Sequence, residues 1–475
     1  MSDRYPLELS GEELRRLAEA ALARLARHVD SLPEQPAADT AGAIALARSL
    51  AEPLPERGTP LPELLALLFE RAIPKSFNTA GPGYLAYIPG GGLLHSAVAD
   101  LIADGVNRYV GVFAAAPALA QIEANVVAWF AEIIGLPPST RGLLTSGGSL
   151  ANFTALVTAR RERLPDDFLR GVLYTSDQTH HSVARAALLA GFPPASVRAV
   201  PTDGEFRLRL DLLAEQIAAD RRAGLSPFLV VGNAGTTNTG AVDPLPELAD
   251  LAERAGVWFH VDAAYGGFFC LTADGRRALA GIERADSVVL DPHKGLFLPY
   301  GTGALLVRDG AALKRAHSVA ADVLPPMQEE ADLVDFCEIS PELSRPFRGL
   351  RAWLPLKLLG SGPFRAALEE KWALARQAAG ELRAEPGIEM LAEPQLSLFA
   401  FRLHPPGEDD ERALDRLNHK LLARVNARNR VHLSGTVLGG RFALRICVLS
   451  FRTHADRIAA AVDDIRDAAR ELAAG

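Results

Sequence analysis

Apolar residues change their rhythm twice along this chain. From Leu14 through Leu17 and Ala21 to Leu25 they fall three and four residues apart, the spacing of one helix face. Ser10 stands just before them with Glu13 three residues on, an N-cap and its capping-box partner. A second stretch, Leu61 to Phe69, follows a Pro-rich break at Glu52–Pro62. Each stripe is too narrow to fold alone, so this extension is expected to pack on another surface, within the chain or on a partner subunit.

From about Gly142 the pattern becomes short continuous apolar runs separated by helical stretches. The segments 142–145, 172–175, 228–233, 257–262 and 287–291 read as buried strands, and Leu150–Arg160, Leu210–Arg222 and Pro246–Arg254 as helices between the earlier ones. Continuous apolar strands alternating with helices predict an α/β unit whose mostly parallel sheet is covered on both faces. Ligands of such sheets sit beyond the carboxyl ends of the strands. Near SGPF (361–364) the rhythm changes again, to a long helix, strands at 395–401 and 442–451, and an amphipathic helix over Ala455–Leu472. The expected division is a helical extension (1–82), a large ligand-binding domain (83–360) and a small α+β domain (361–475).

Length and composition agree with this division. The chain has 475 residues, 48% of them hydrophobic, enough for two cores. Acidic residues outnumber basic ones, 58 to 50, and no Lys/Arg run forms a patch for nucleic acid or lipid, so a small-molecule partner is expected. Cys270, Cys337 and Cys447 are widely spaced, which supports neither a disulfide framework nor a zinc knuckle. No apolar run is long enough for a membrane span, and the N-terminus lacks signal-peptide features; a cytoplasmic location is expected.

The candidate chemistry lies where the strands end. TSGGS (145–149) closes a strand and opens a helix, where Gly148 and Ser149 suit a phosphate, although Gly-Gly turns before helices are common. Asp262 in HVDAAYGG follows an apolar strand; it is either a helix N-cap or a buried charge with a partner such as a protonated pyridine nitrogen. Lys294 in SVVLDPHKG lies 32 residues beyond Asp262. Partial burial would favour the neutral amine that an imine-forming lysine needs. In SDQTHHS, His180 is suited to lie against an aromatic ring, while His181 is expected to point elsewhere. The adjacent pair lacks a second ligand cluster, so no metal site is expected. NAGTTNTGAVDP (233–244) offers the hydroxyls of Thr236 and Thr237.

In these segments, and in PGYLAYIP, APALAQIE and PELSRPFRGLR, the chain resembles the group II amino-acid decarboxylases, a pyridoxal-phosphate family that includes aromatic L-amino-acid and glutamate decarboxylases. The likeness runs from roughly Gly83 to Arg452, and the pairing of HVDAAYGG with DPHKG is specific. It implies an aspartate-aminotransferase-like fold (fold type I) and a homodimer with shared active sites that the extension wraps. It also implies pyridoxal 5'-phosphate as a Schiff base on Lys294, Asp262 on the pyridinium nitrogen and His180 stacked on the ring. Gly148, Ser149 and His293 would contact the phosphate with Asp291 nearby, while Thr237 and Ala264 border the ring. The reaction implied is decarboxylation of an L-amino acid through an external aldimine and a quinonoid. An aminotransferase or carbon–carbon lyase would keep the same cofactor residues, but the match at 335–351 favours a decarboxylase. The alternative of a different class is a non-catalytic cofactor-binding protein.

Two departures stand out. The family's proton-donating tyrosine falls on Phe336, and Tyr300 is the last tyrosine in the chain. Family members with Phe there act as aldehyde synthases, so decarboxylation with oxidative deamination is the alternative to amine formation, for which water, His180 or Cys337 would supply the proton. In the substrate region Tyr87, Ile88 and Pro89 carry an aliphatic residue before the proline where aromatic-specific relatives carry an aromatic one. Gly90–Gly92 follow, which implies a reshaped pocket with an aromatic amino acid still the expected substrate.

Overall fold

The computed structural model describes residues 7–318, 330 and 332–474. Its strands are β1 (Arg141–Thr145), β2 (Gly171–Ser176), β3 (Val197–Val200), β4 (Ser226–Asn233), β5 (Trp258–Asp262), β6 (Ser287–Leu290), β7 (Gly303–Val307), β8 (Ile388–Ala392), β9 (Leu398–Leu403), β10 (Ser434–Leu438) and β11 (Arg441–Cys447). The first seven form one sheet in the order β1-β7-β6-β5-β4-β2-β3. β7 runs against both its neighbours, and the other pairings are parallel.

Continuous apolar strands follow from burial on both faces. Val172, Tyr174, Val288 and Leu290 enter one core, while Leu173 and Val289, the residues between them, enter the other. On β5, Phe259 and Val261 face the first core and Trp258 the second. Successive strand side chains alternate faces, so His260 and Asp262 lie on the side of Trp258. That side is covered by helix Gly148–Arg163 through Ala151, Ala155 and Ala159.

The last four strands form an antiparallel sheet, β10-β11-β9-β8. Gly439 and Gly440 join β10 to β11 with φ of +56° and +81°, the two left-handed positions of a tight hairpin. Leu374 and Leu382 of helix Gly362–Arg383, Val425 of helix Glu411–Ala427 and Ile465 of helix Ala455–Ala474 share a separate core with Phe399 and Leu444. Leu85 packs in this core too, and its N–H donates to the carbonyl of His432 at 3.0 Å.

At the N-terminus Ser10 and Glu13 form the expected capping box on helix Gly11–Asp30. That helix buries none of its residues, and Leu14, Leu17 and Leu22 are exposed. Helix Leu94–Val106 likewise presents Val98, Leu101, Ile102 and Val106 outward. Among the described residues no helix is long and apolar enough to cross a membrane.

Candidate active site

The carboxyl ends of β1, β2, β4, β5 and β6 run into segments that border one cavity of about 270 Å³. It brings together Gly148, Ser149, His180, Thr237, Asp262, Ala264, Asp291, His293 and Lys294, residues scattered over 147 positions of sequence. At one end β1 passes through Ser146 and Gly147 into helix Gly148–Arg163. Gly147 has φ of +154° and, as N-cap, supplies no side-chain bond. A Cβ on Gly148 would stand 3.1 Å from a carboxylate oxygen of Asp291. Small residues therefore leave the first-turn N–H groups open to a ligand, at the helix end that carries partial positive charge.

Asp262 is held at the opposite wall. Its Oδ2 accepts from Asn152 Nδ2 at 3.0 Å and its Oδ1 from the Ala264 N–H at 3.2 Å. Asn152 Oδ1 bonds His260 Nε2 at 2.9 Å, and His260 Nδ1 bonds Ser287 Oγ at 2.8 Å. Trp258 Nε1 also donates to Ser287 Oγ at 2.8 Å. Burial pushes the His260 imidazole down to about 4, so this ring is neutral. Because the amide oxygen of Asn152 only accepts, the proton of His260 sits on Nε2.

Lys294 enters from the turn after β6. Its Nζ lies 3.0 Å from Asp291 Oδ2, and Asp291 Oδ1 is buried without a hydrogen-bond partner among the described residues. His293 donates from Nδ1 to the Thr302 carbonyl at 2.6 Å, which turns Nε2 to within 3.7 Å of Asp291. His180 follows β2. Burial holds its imidazole below the ordinary value. Its Nδ1 accepts from the Ser182 N–H at 3.3 Å and contacts Ser182 Oγ at 2.8 Å, which leaves the proton on Nε2. His181 is exposed and does not border the cavity, as expected, although its ring centre stands 4.1 Å from that of His180, tilted by 45°. Thr236 bonds Thr239 at 2.7 Å and so braces its own turn, while Thr237 receives Arg445 Nε on its carbonyl at 2.9 Å.

Four expected site residues do not border the cavity. Ile88 is spent in the core. Tyr87 turns outward with φ of +53°, and Pro89 is buried between them and Gly90. The segment still abuts the lysine turn, since a Cβ on Gly90 would meet the His293 carbonyl at 2.0 Å. Phe336 is fully buried, with the Arg345 guanidinium 4.8 Å from its ring centre. Sequence reasoning missed Asn152, Ser182, His260 and Arg445. The spacing of His260 and Asp262 on one strand face was the available signal. Arg445 lies on β11, is 3% exposed, and has an Nη2 with no partner among the described residues.

The comparisons agree with this geometry. A family model described as "Pyridoxal-dependent decarboxylase conserved domain" matches residues 46–404. An aromatic-L-amino-acid decarboxylase of Bacillus atrophaeus is 36% identical over 467 residues, covering 98% of this chain and 97% of that protein. A crystal structure of Oryza sativa TDC with PLP and tryptamine superposes with a TM-score of 0.92 at 28% identity, covering 98% and 99% of the two chains. One of Rhodiola rosea 4-hydroxyphenylacetaldehyde synthase gives 0.90 at 26% identity, with the same coverage. The chain belongs to the pyridoxal-dependent decarboxylases, and it is a carboxy-lyase whose cofactor is pyridoxal 5'-phosphate.

Proposed function

We propose that this chain decarboxylates an aromatic L-amino acid with its cofactor held by Lys294. One observation carries the reading: a lysine amine, a braced carboxylate and an uncapped helix N-terminus border the same cavity. The residues fit pyridoxal phosphate on these grounds. The N–H groups at Gly148 and Ser149, with His293, would take the phosphate, Asp262 the ring nitrogen, and His180, Ala264 and Thr237 the ring. When bound, the cofactor supplies an electron sink for the bond between the α carbon and the carboxylate.

The protein's part is orientation and proton placement. Asn152 and the Ala264 N–H each occupy one oxygen of Asp262, which fixes the carboxylate and favours a proton on a ring nitrogen facing it. Neutral His260 holds Asn152 without adding a competing positive charge. Neutral His180 presents an apolar face with its proton on Nε2. Arg445 lies outside the cavity lining, and its buried Nη2 has no partner among the described residues; beside Thr237 it is the cation suited to a substrate carboxylate. Labelled carbon dioxide trapped from a panel of aromatic and acidic amino acids tests the reading. Release from none of the aromatic members overturns the substrate class.

A second reading concerns the product. Phe336 has no proton to give, and one of the matching structures is an aldehyde synthase. On this reading substrate, dioxygen and water become aldehyde, carbon dioxide, ammonia and hydrogen peroxide. Peroxide assayed against amine in air decides between the two.

The exposed apolar faces of helices Gly11–Asp30 and Leu94–Val106 support a homodimer that shares its active sites, testable by light scattering. The buried thiols of Cys270 and Cys447, neither in a disulfide, suit a reducing compartment and support a cytoplasmic location. Two separate sheets, each with its own core, support the division at 82 and 360, with Leu85 reaching across it.

A further inference from the structure

The turn after β6 brings a carboxylate into the phosphate cup. Asp291 is 3% exposed, with Oδ2 3.0 Å from Lys294 Nζ and Oδ1 buried without a partner among the described residues. It occupies the N-cap of the short turn Pro292–Gly295, yet its side chain makes no capping bond, so the usual structural use of Asp at such a point does not hold it there. The same carboxylate borders the first turn of helix Gly148–Arg163, at Gly148. The ionisable groups facing it are Lys294 and His293 from its own turn and His180 from the loop after β2. Helix Gly148–Arg163 has no acidic residue in its first turn. The end of β5 contributes the Ala264 carbonyl, with Asp262 beyond it.

This inference rests on the cofactor reading above. Loading consumes the Lys294 ammonium, the positive charge that stabilises an Asp291 anion, and places a phosphate dianion in the cup that Asp291 borders. Loss of an opposite charge and gain of a like one both favour the neutral acid. We propose that Asp291 takes up a proton when the cofactor is loaded, so that a carboxylic acid rather than a carboxylate faces the phosphate. The step balances. Lys294 Nζ bonds the aldehyde carbon, the aldehyde oxygen leaves as water with two of the three ammonium protons, and the third passes to Asp291. If the new C=N nitrogen keeps that proton, the positive charge stays and the phosphate dianion alone favours the acid; Asp291 then draws its proton from solvent, and the residue's own gain is still one. A protonated Asp291 then donates to a phosphate oxygen, where the anion would only repel it.

The test titrates apo-protein with pyridoxal phosphate in weak buffer containing a pH indicator, for the wild type and Asp291→Asn. The variant should release about one more proton per cofactor bound. The ratio of dissociation constants, variant over wild type, should fall as pH rises. Equal proton counts, or a ratio flat with pH, overturn the proposal. Infrared difference spectra of the wild type alone supply a readout that does not depend on the variant folding. A carboxylic-acid carbonyl stretch should appear on loading, and its absence overturns the proposal. A wild type without a cofactor band overturns the Lys294 reading, and this inference falls with it; a normal band with equal proton counts overturns the inference alone.

Discussion

The cradle at the strand ends and the segment around Phe336 are built on opposite plans. In the cradle the groups that would meet the cofactor are tied to neighbours, Asp262 across elements and His180 and Lys294 within their own turns. Asp262 on β5 is braced by Asn152 on the covering helix, His180 by Ser182, and Lys294 by Asp291. Around Phe336 the polar ties support the segment and leave its aromatic ring without chemistry. Phe113 N–H donates to Asp335 Oδ1 at 2.6 Å, Cys337 N–H to the Gly111 carbonyl at 2.9 Å, and Arg345 pairs with Glu123 in full burial. The parallel sheet thus sets where these groups meet, because its strand ends converge whatever the loops do. On the proposed reading, the fate of the carbon left behind depends on a segment outside that convergence, where one side chain can change without disturbing the cradle.

The strongest challenge to this contrast is removal of the lysine. Lys294→Ala should lower decarboxylation by at least about 10³-fold and abolish the cofactor absorption band. A variant that keeps the wild-type band places the amine elsewhere and dissolves the cradle as described. Asp262→Asn should cost about 10²–10³-fold in kcat. The amide would set an N–H against the N–H of Asn152 or of Ala264, so both charge and geometry are lost. Steady-state kinetics and a changed absorption spectrum of the bound cofactor check this, and an unchanged kcat removes Asp262 from the chemistry.

The brace behind Asp262 has a pH signature of its own. Burial takes His260 to about 4 in the folded protein, against an ordinary value of 6.5. The unfolded chain therefore binds the proton more tightly, and the stability His260 contributes is complete only above its unfolded value. It drains away as pH falls from about 6.5 toward 4, a loss of about 2 kcal/mol between pH 7 and 5. His317, also lowered to about 4 by burial, adds in the same direction. Denaturant unfolding at the two pH values should show the loss, and His260→Gln should remove the His260 share and leave that of His317. A pH dependence identical in the variant breaks the assignment.

The same contrast explains what could be read from the chain. Strands β2, β4, β5 and β6 were legible because burial on both faces makes their apolar runs continuous. β3 was missed because Arg198 interrupts an edge strand, and β10 because its sheet face alternates with an exposed one. The cavity residues were legible because strand topology delivers them to one place. Asn152 and His260 were not singled out, since their role depends on which helix covers which face, and that is decided by packing. Ile88 failed as a pocket residue because the core claims it. Phe336 could be singled out in the sequence but not placed, since nothing in the segment 335–351 announces that Arg345 would lie over the ring.

The smallest expected effect is the one that sharpens the contrast most. Phe336→Tyr adds a single hydroxyl to a segment that does not border the cavity in this conformation. Carbon dioxide release should stay within about threefold of wild type, because nothing in the cradle changes. General-acid groups contribute about 10²–10⁴-fold where they reach the reacting atom, so even partial access should matter. If the wild type forms aldehyde, the peroxide produced per carbon dioxide should fall about tenfold in the variant as amine takes its place. A wild type that yields stoichiometric amine and no peroxide ends the aldehyde reading. A wild type that yields peroxide, with a variant that yields just as much, would show that residue 336 never approaches the carbon. The division of labour would then have to be redrawn around another donor, and Tyr109, whose hydroxyl donates to the Leu343 carbonyl at 3.1 Å, is the tyrosine that the fold places against this segment.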